Sequence, residues 1–324
     1  MALTKYSVLR TLNGLFSVYK PPGVIWKNVR DTLEMTLLKE LNSPHELSYQ
    51  QNMLFLPESS AGCRGVELTK VITSVPSLVD HVLVKGPAYT FLKIGVGHKL
   101  DKMSSGVLVF GLGDGAKFLS VMDENHHTRD YTVFGTFGKA TADFTDAGKM
   151  VEKTTFDHIS REKFERVLAM IQGAHQKSLI MHSNVDLKSE EAYDLAVQGQ
   201  LRPKVKSPPL ILAMRCLQFS PPDFTLEIRC MHETQKYLRK VIHEIGLELR
   251  STAVCNKVRC IRDGPFTLDC ALTRAHWNLD SVCNAIKECQ PKVEEILKER
   301  MDISLKNTNS EESHSHSDRR TRSS

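Results

Sequence analysis

At 324 residues, 41% apolar and 25% charged, the chain has ordinary globular composition, with length for one large domain or two smaller ones. That composition excludes a collagen, a coiled coil and wholesale disorder, and the longest mostly apolar run, 106–113, falls far short of the roughly 20 residues a spanning helix needs. Forty-three Lys+Arg against 38 Asp+Glu leave a net +5, which is compatible with a nucleic-acid partner without arguing for one.

Before Asp31 there is no acidic residue, whereas Lys5, Arg10, Lys20, Lys27 and Arg30 are basic and Thr4, Ser7 and Thr11 carry hydroxyls, a weak likeness to a mitochondrial presequence confined to residues 1–14. The β-branched and aromatic run 15–19 predicts a strand, stopped by the rigid turn Lys20-Pro21-Pro22-Gly23. Val29, Leu33, Leu37 and Leu41 recur every fourth residue and predict a helix; 42–75 then loses periodicity and reads as an inserted surface loop with at most a short strand. A strand is expected at 107–110, a helix at 116–122, a strand at 131–137 and a helix from Arg161 ended by Gly173. Strands follow at 210–219 and 224–231, a helix at 237–249 with Leu238, Val241, Ile242 and Ile245 inward, and a strand at 252–261. Paired strands interleaved with single helices predict an α+β fold with a mixed, largely antiparallel sheet and flanking helices. Residues 15–300 read as the folded domain, and the polar tail 301–324 is expected to be disordered.

The charge is localised. Residues 201–262 hold 12 Lys+Arg against five Asp+Glu, which is either a track for a phosphate backbone or a solvated face. The eight cysteines include no C-x-x-C pair, arguing against a zinc site and for a reducing compartment. His232-Glu233 and His243-Glu244 each lack the second histidine of H-E-x-x-H, and no G-x-S-x-G occurs. Gly111-Leu112-Gly113-Asp114-Gly115-Ala116 satisfies a dinucleotide fingerprint, with Asp130 some way beyond. Asp130, however, opens the strand 131–137, whereas the ribose-binding acid of such a site closes one, so a structural turn is the better reading and a nucleotide-dependent oxidoreductase the distant one.

The remaining chemistry lies in 93–106, where three glycines surround one carboxylate, Asp101, ahead of an apolar strand. A lone aspartate in such a loop is more often a turn residue than a catalyst. The segments Lys20-Pro21-Pro22-Gly23, Gly95 through Asp101 to Leu108, Arg129 to Val133, Tyr237-Leu238-Arg239 with Gly246, and Val258-Arg259 stand in the order of one family. Together they resemble the TruB-type pseudouridine synthases over about 15–275, most closely the vertebrate-type mitochondrial branch.

The resemblance implies the pseudouridine synthase fold, RNA as partner, no metal or organic cofactor, and an isomerase that converts uridine to pseudouridine. It implies Asp101 as catalytic aspartate, Tyr131 as the tyrosine stacked on the target base and Arg239 as the partner of the aspartate. Lys20, Pro21, His98, Lys102, Arg129, Val258 and Arg259 are then expected along the substrate, and the mitochondrial matrix as compartment, with mitochondrial mRNA, tRNA and RNA-processing or ribosome-assembly proteins as partners. A carboxylate at C1′ or C2′ suits glycosidic chemistry, a guanidinium keeps it ionised, and an aromatic ring holds a flipped base. The chain departs from the family at Val96, where bacterial members carry a histidine, at Lys102, where proline is usual, in a longer linker before the catalytic loop, and in leaving no room for the C-terminal RNA-binding PUA domain. The first two departures keep a non-catalytic RNA-binding or RNA-assembly protein open as the alternative.

Overall fold

The computed structural model describes residues 12–43, 49–57, 68–76, 86–124, 127–183, 188–197 and 207–295, with the single positions 84, 185, 201, 203 and 298. The expected presequence-like stretch up to residue 11, Arg202 and the tail from 301 lie outside them. The elements in chain order are β1 (Gly14–Lys20), α1 (Trp26–Asn42), β2 (Tyr49–Pro57), β3 (Leu68–Pro76), β4 (Ile94–Val96), β5 (Ser105–Leu112), α2 (Gly115–Glu124), β6 (Arg129–Phe137), β7 (Lys139–Thr141) and β8 (Met150–Lys153). There follow α3 (Arg161–Ser183), α4 (Glu190–Val197), β9 (Leu210–Ser220), β10 (Asp223–Met231), α5 (Gln235–Glu248), β11 (Ala253–Asp263), β12 (Phe266–Thr267) and a last helix, α6, over 279–295.

The main sheet runs β1-β5-β11-β6-β10-β9, with β4 also on β5 and β12 on β11. Among the described residues its one parallel strand pair, Arg259 opposite Ser105 and Cys260 opposite Gly106, joins β11 to β5; the other strand pairs are antiparallel. This is the mixed, largely antiparallel α+β architecture expected. All eight residues of β5 are buried, which is why it reads as a continuous apolar and small-residue run rather than an alternating one. In β6 the alternation survives, and its inward residues Tyr131, Val133 and Phe137 share the core with Leu226, Ile228 and Val258.

The four-residue spacing in α1 buries Val29, Leu33, Leu37 and Leu41 as one stripe. Leu33 has no solvent exposure, so Leu33→Ala is expected to lower unfolding free energy by about 2–5 kcal/mol. Denaturant titration should show this as a lower midpoint at unchanged slope. Helix α6 does the same with Val282, Ala285, Ile286, Cys289 and Val293.

Two expectations are corrected. The segment 42–75 is not a bare loop: β2 and β3 pair over nine residues from Tyr49–Pro76 to Pro57–Leu68. Tyr49, Met53, Leu54, Phe55, Val71 and Ile72 favour a strand, and the polar residues among them hid the pattern. Gly173 does not end its helix, since α3 continues to Ser183 and the position is open space in which its missing Cβ touches nothing.

The glycine fingerprint is structural. β5 runs parallel to β11 and β6 antiparallel to it, so β5–α2–β6 is no parallel βαβ unit and binds no dinucleotide in the Rossmann manner. The glycines serve close packing: a Cβ on Gly115 would stand 2.2 Å from the Gly14 carbonyl oxygen. Asp130 instead accepts hydrogen bonds from Arg262 (2.8 and 2.9 Å) and Arg229 (2.9 and 3.3 Å). Burial pushes its carboxyl up, and the two guanidiniums more than offset this and hold it below its ordinary value.

Candidate active site

Asp101 lies in the loop between β4 and β5, and the local sequence explains its position. Gly106 adopts φ +118°, and a Cβ there would meet the Cys260 carbonyl oxygen at 2.0 Å; only glycine lets β5 start this close to β11. Upstream, Gly97 N–H donates to Val109 O at 2.9 Å, and Gly23 N–H donates to Lys102 O at 2.8 Å, joining the Pro-Pro-Gly turn to the loop. Beneath it Lys20, fully buried, donates to the carbonyls of Ser104 (2.6 Å), Pro21 (3.1 Å) and Lys102 (3.4 Å). Burial pulls the Lys20 ammonium down to about 8, against the opposing attraction of Asp101.

The half-buried Asp101 carboxyl accepts from Ser104 N–H at 2.8 Å and pairs with Arg239 Nη2 at 2.5 Å. Burial raises its pKa, and the Ser104 contacts and the Arg239 charge outweigh burial, leaving it below its ordinary value. Arg239 is itself buried and also donates to Ser104 Oγ at 3.3 Å. It projects from the first turns of α5, whose start is capped by Thr234 accepting from Tyr237 N–H at 3.2 Å. Leu238, Val241, Ile242 and Ile245 are buried beside it on that helix. His243, one turn on, packs against Phe144 with ring centroids 4.9 Å apart.

A chain of polar groups links this pair to Tyr131. Asp101 N–H donates to Gln235 Oε1 at 3.3 Å; a backbone amide only donates, so the Gln235 amine faces His98 Nε2, 2.7 Å away. His98 Nε2 is therefore an acceptor with the ring proton on Nδ1. Burial and then Arg129 push His98 down to about 4, with Glu233 opposing, so the ring is neutral at neutral pH. Tyr131, without solvent exposure, donates its hydroxyl to Glu233 Oε1 at 2.6 Å. Burial and the neighbouring Glu233 push the phenol well above its ordinary pKa. Arg129 lies 3.7 Å from the same carboxylate oxygen and donates to Asp263 at 2.8 Å.

The structure thus brings Asp101, Arg239, Lys20, His98, Arg129 and Tyr131 into one connected region. Lys20 and Arg129, expected along the substrate, are both buried, their charges taken up by loop carbonyls and by Asp263 and Glu233. Val258 is a core residue opposite Val133. Arg259 points to the other sheet face, its guanidinium 5.8 Å over Tyr19, and its Nε has no hydrogen-bond partner among the described residues. Pro21 is partly exposed and Lys102 exposed. Within the basic stretch Arg215, Arg229, Arg239 and Arg262 are paired with Glu227, Asp130, Asp101 and Asp130. Beside the loop, however, Lys99, Lys27 and Arg30 gather over Trp26 at 5.3–5.8 Å. Ser104, Gln235 and Glu233 belong to the site without having been expected there. Among the described residues no group of His, Cys, Asp and Glu is arranged to hold a metal ion.

A carboxylate paired with one guanidinium, in a glycine-walled loop with a buried tyrosine behind it, can act as a nucleophile or as a base. Comparison with known proteins gives the family. The model of the TruB family pseudouridylate synthase (N terminal domain) matches residues 87–236. The mitochondrial pseudouridylate synthase TRUB2 of Xenopus tropicalis is 62% identical over 296 residues, covering 91% of each chain. The human protein of the same name is 54% identical, covering 92% of this chain and 90% of its own. Among solved structures, that of an archaeal box H/ACA sRNP Nop10–Cbf5 complex aligns with a TM-score of 0.45 at 15% identity, over 84% of this chain and 54% of that one. The chain belongs to the TruB family of pseudouridine synthases, and its activity is that of an isomerase.

Proposed function

We propose that the protein isomerises specific uridines of mitochondrial RNA, in mRNA or in T-loop-like tRNA hairpins, within the matrix, and that Asp101 is the catalytic carboxylate. The observation that carries this reading is the Asp101–Arg239 pair at 2.5 Å, in a chain whose mitochondrial relatives match it over nine tenths of its length. The reaction breaks N1–C1′, turns the uracil and joins C5 to C1′. Asp101 serves it by attacking C1′ or by removing the C2′ proton, and Arg239 and Ser104 hold the carboxylate ionised and aimed. With no net redox change or hydrolysis, the chemistry calls for no cofactor. Lys99, Lys27, Arg30 and the exposed Lys102 form a positive rim suited to phosphates beside the target nucleotide.

Tyr131 is proposed as the ring on which the target base stacks. Because that ring has no exposed face, a flipped base must first displace the side chains covering it. Tyr131→Leu is expected to cost about 1–3 kcal/mol of stacking, read as a one- to two-order fall in single-turnover rate, while Tyr131→Phe keeps RNA affinity. Full activity in Tyr131→Leu would remove the stacking role. The proposal as a whole is tested by pseudouridine mapping of mitochondrial RNA from cells carrying wild-type or Asp101→Asn protein: loss at defined uridines supports it, and unchanged maps overturn it.

A further inference from the structure

Glu233 is a buried carboxylate of the site that the proposed reaction leaves without a task. Its Oε1 receives the Tyr131 hydroxyl at 2.6 Å, whereas its buried Oε2 has no nitrogen or oxygen donor among the described residues and only the weak thiol donor of Cys230 beside the carboxylate. That leaves the carboxylate with spare capacity to accept a proton. The groups facing it are Tyr131, Arg129, His98 and the thiols of Cys230 and Cys260. It also borders a cleft of about 370 Å³ together with His98, Lys99, His127 and His232; its carboxylate is itself unexposed, so proton exchange with water in the cleft requires the side chain to move.

Building on the reading of Tyr131 as the residue against the target base, we infer that Glu233 is the proton acceptor behind it, so that Tyr131 and Glu233 act as one base in the last step. Once C1′ is joined to C5, that carbon carries both the sugar and its original hydrogen, and the ring holds an N1=C6 double bond. Tyr131 Oη takes the C5 proton as its own proton passes to Glu233. The C5–H electron pair becomes the C5=C6 bond, the N1=C6 π pair moves to N1, and N1 takes a proton from water. Glu233 then returns its proton to water through the cleft, and the balance is that of an isomerisation. The relay is needed because burial holds the phenol well above its ordinary pKa; Tyr131 removes a proton only when its own leaves in concert. Glu233 acts through Tyr131 and does not touch the substrate.

The test compares full-length wild type, Glu233→Gln, Tyr131→Phe, the double variant and Asp101→Asn in single turnovers on RNA carrying uridine or 5-deuterouridine. The glutamine still accepts the Tyr131 hydrogen bond through its amide oxygen but takes no proton. Glu233→Gln should bind RNA as wild type does, slow product formation by about 10²-fold, the scale of a lost general base, and show a larger deuterium effect than wild type. Tyr131→Phe should show the same enlarged effect, and the double variant should be no slower than either single one. A wild-type rate in Glu233→Gln, or a slower rate without a larger deuterium effect, overturns the relay. Should Glu233→Gln fail to fold, Tyr131→Phe decides alone: a wild-type rate and isotope effect there overturn the inference. Inactive Asp101→Asn alongside a normal Glu233→Gln removes the relay only, whereas active Asp101→Asn removes the reading on which it rests.

Discussion

Asp101→Asn should reduce pseudouridine formation by roughly 10⁴-fold or more, the scale of losing a reacting group in other enzymes, while RNA affinity and thermal stability change little. The amide keeps the acceptor oxygen for Ser104 N–H, now 2.8 Å from Oδ1, and it is nearly isosteric, so the loop has no reason to move. What it lacks is charge: it neither attacks a sugar carbon nor accepts a proton. The pair with Arg239 becomes a neutral hydrogen bond, leaving the guanidinium partly uncompensated, and an anionic RNA then tends to bind slightly more tightly. Filter binding and single-turnover assays on one RNA separate the two effects. Undiminished turnover would mean that Asp101 is a turn residue, the bland reading that its glycine-rich surroundings alone favour, and the carboxylate chemistry would have to lie elsewhere.

How much of this was legible in the sequence follows from the range of each interaction. The α1 stripe Val29, Leu33, Leu37, Leu41 and the inward face of α5 were visible because one periodicity dictates both helix and burial. Asp101, Tyr131 and Arg239 came from family motifs rather than from chemistry, since a lone aspartate in a loop carries little information. Glu233 was hidden for the opposite reason. It sits beside His232 in a pattern that invites a metal reading, and its partner Tyr131 is 102 positions away, a contact no local spacing reveals. The burial of Lys20 was not legible because a lysine beside a Pro-Pro-Gly turn reads as exposed. Only the closeness of the turn to the Asp101 loop, set by the Gly23–Lys102 hydrogen bond, shows that its ammonium points inward. The hairpin β2–β3 was missed because its strands mix polar and apolar residues, and its apolar Met53, Leu54, Phe55 and Ile72 are exposed rather than held to an alternation by a core.

Arg239→Lys tests the geometry of the pair and should lose about 10²-fold in turnover, about 2.7 kcal/mol, toward the lower end of the about 2–5 kcal/mol for truncating one partner of a buried charge pair. The ammonium keeps the charge but not the rigid planar guanidinium, whose Nη2 now reaches both Asp101 Oδ2 and Ser104 Oγ. A second readout separates orientation from electrostatics. The Asp101 carboxyl stands below its ordinary pKa because Ser104 and Arg239 outweigh burial. In Arg239→Ala the guanidinium is gone, burial gains weight, and the folded-state pKa must rise. The acid limb of the pH–rate profile should therefore move to higher pH in Arg239→Ala and much less in Arg239→Lys. Stability follows the same sign: a depressed carboxylate stabilises the fold above its unfolded pKa, and this is lost as pH falls through the folded value, so acid unfolding of Arg239→Ala should begin at higher pH than in wild type. An Arg239→Ala profile with an unmoved acid limb would show that Arg239 does not control the ionisation of Asp101, and the Ser104 contacts would then carry that task alone.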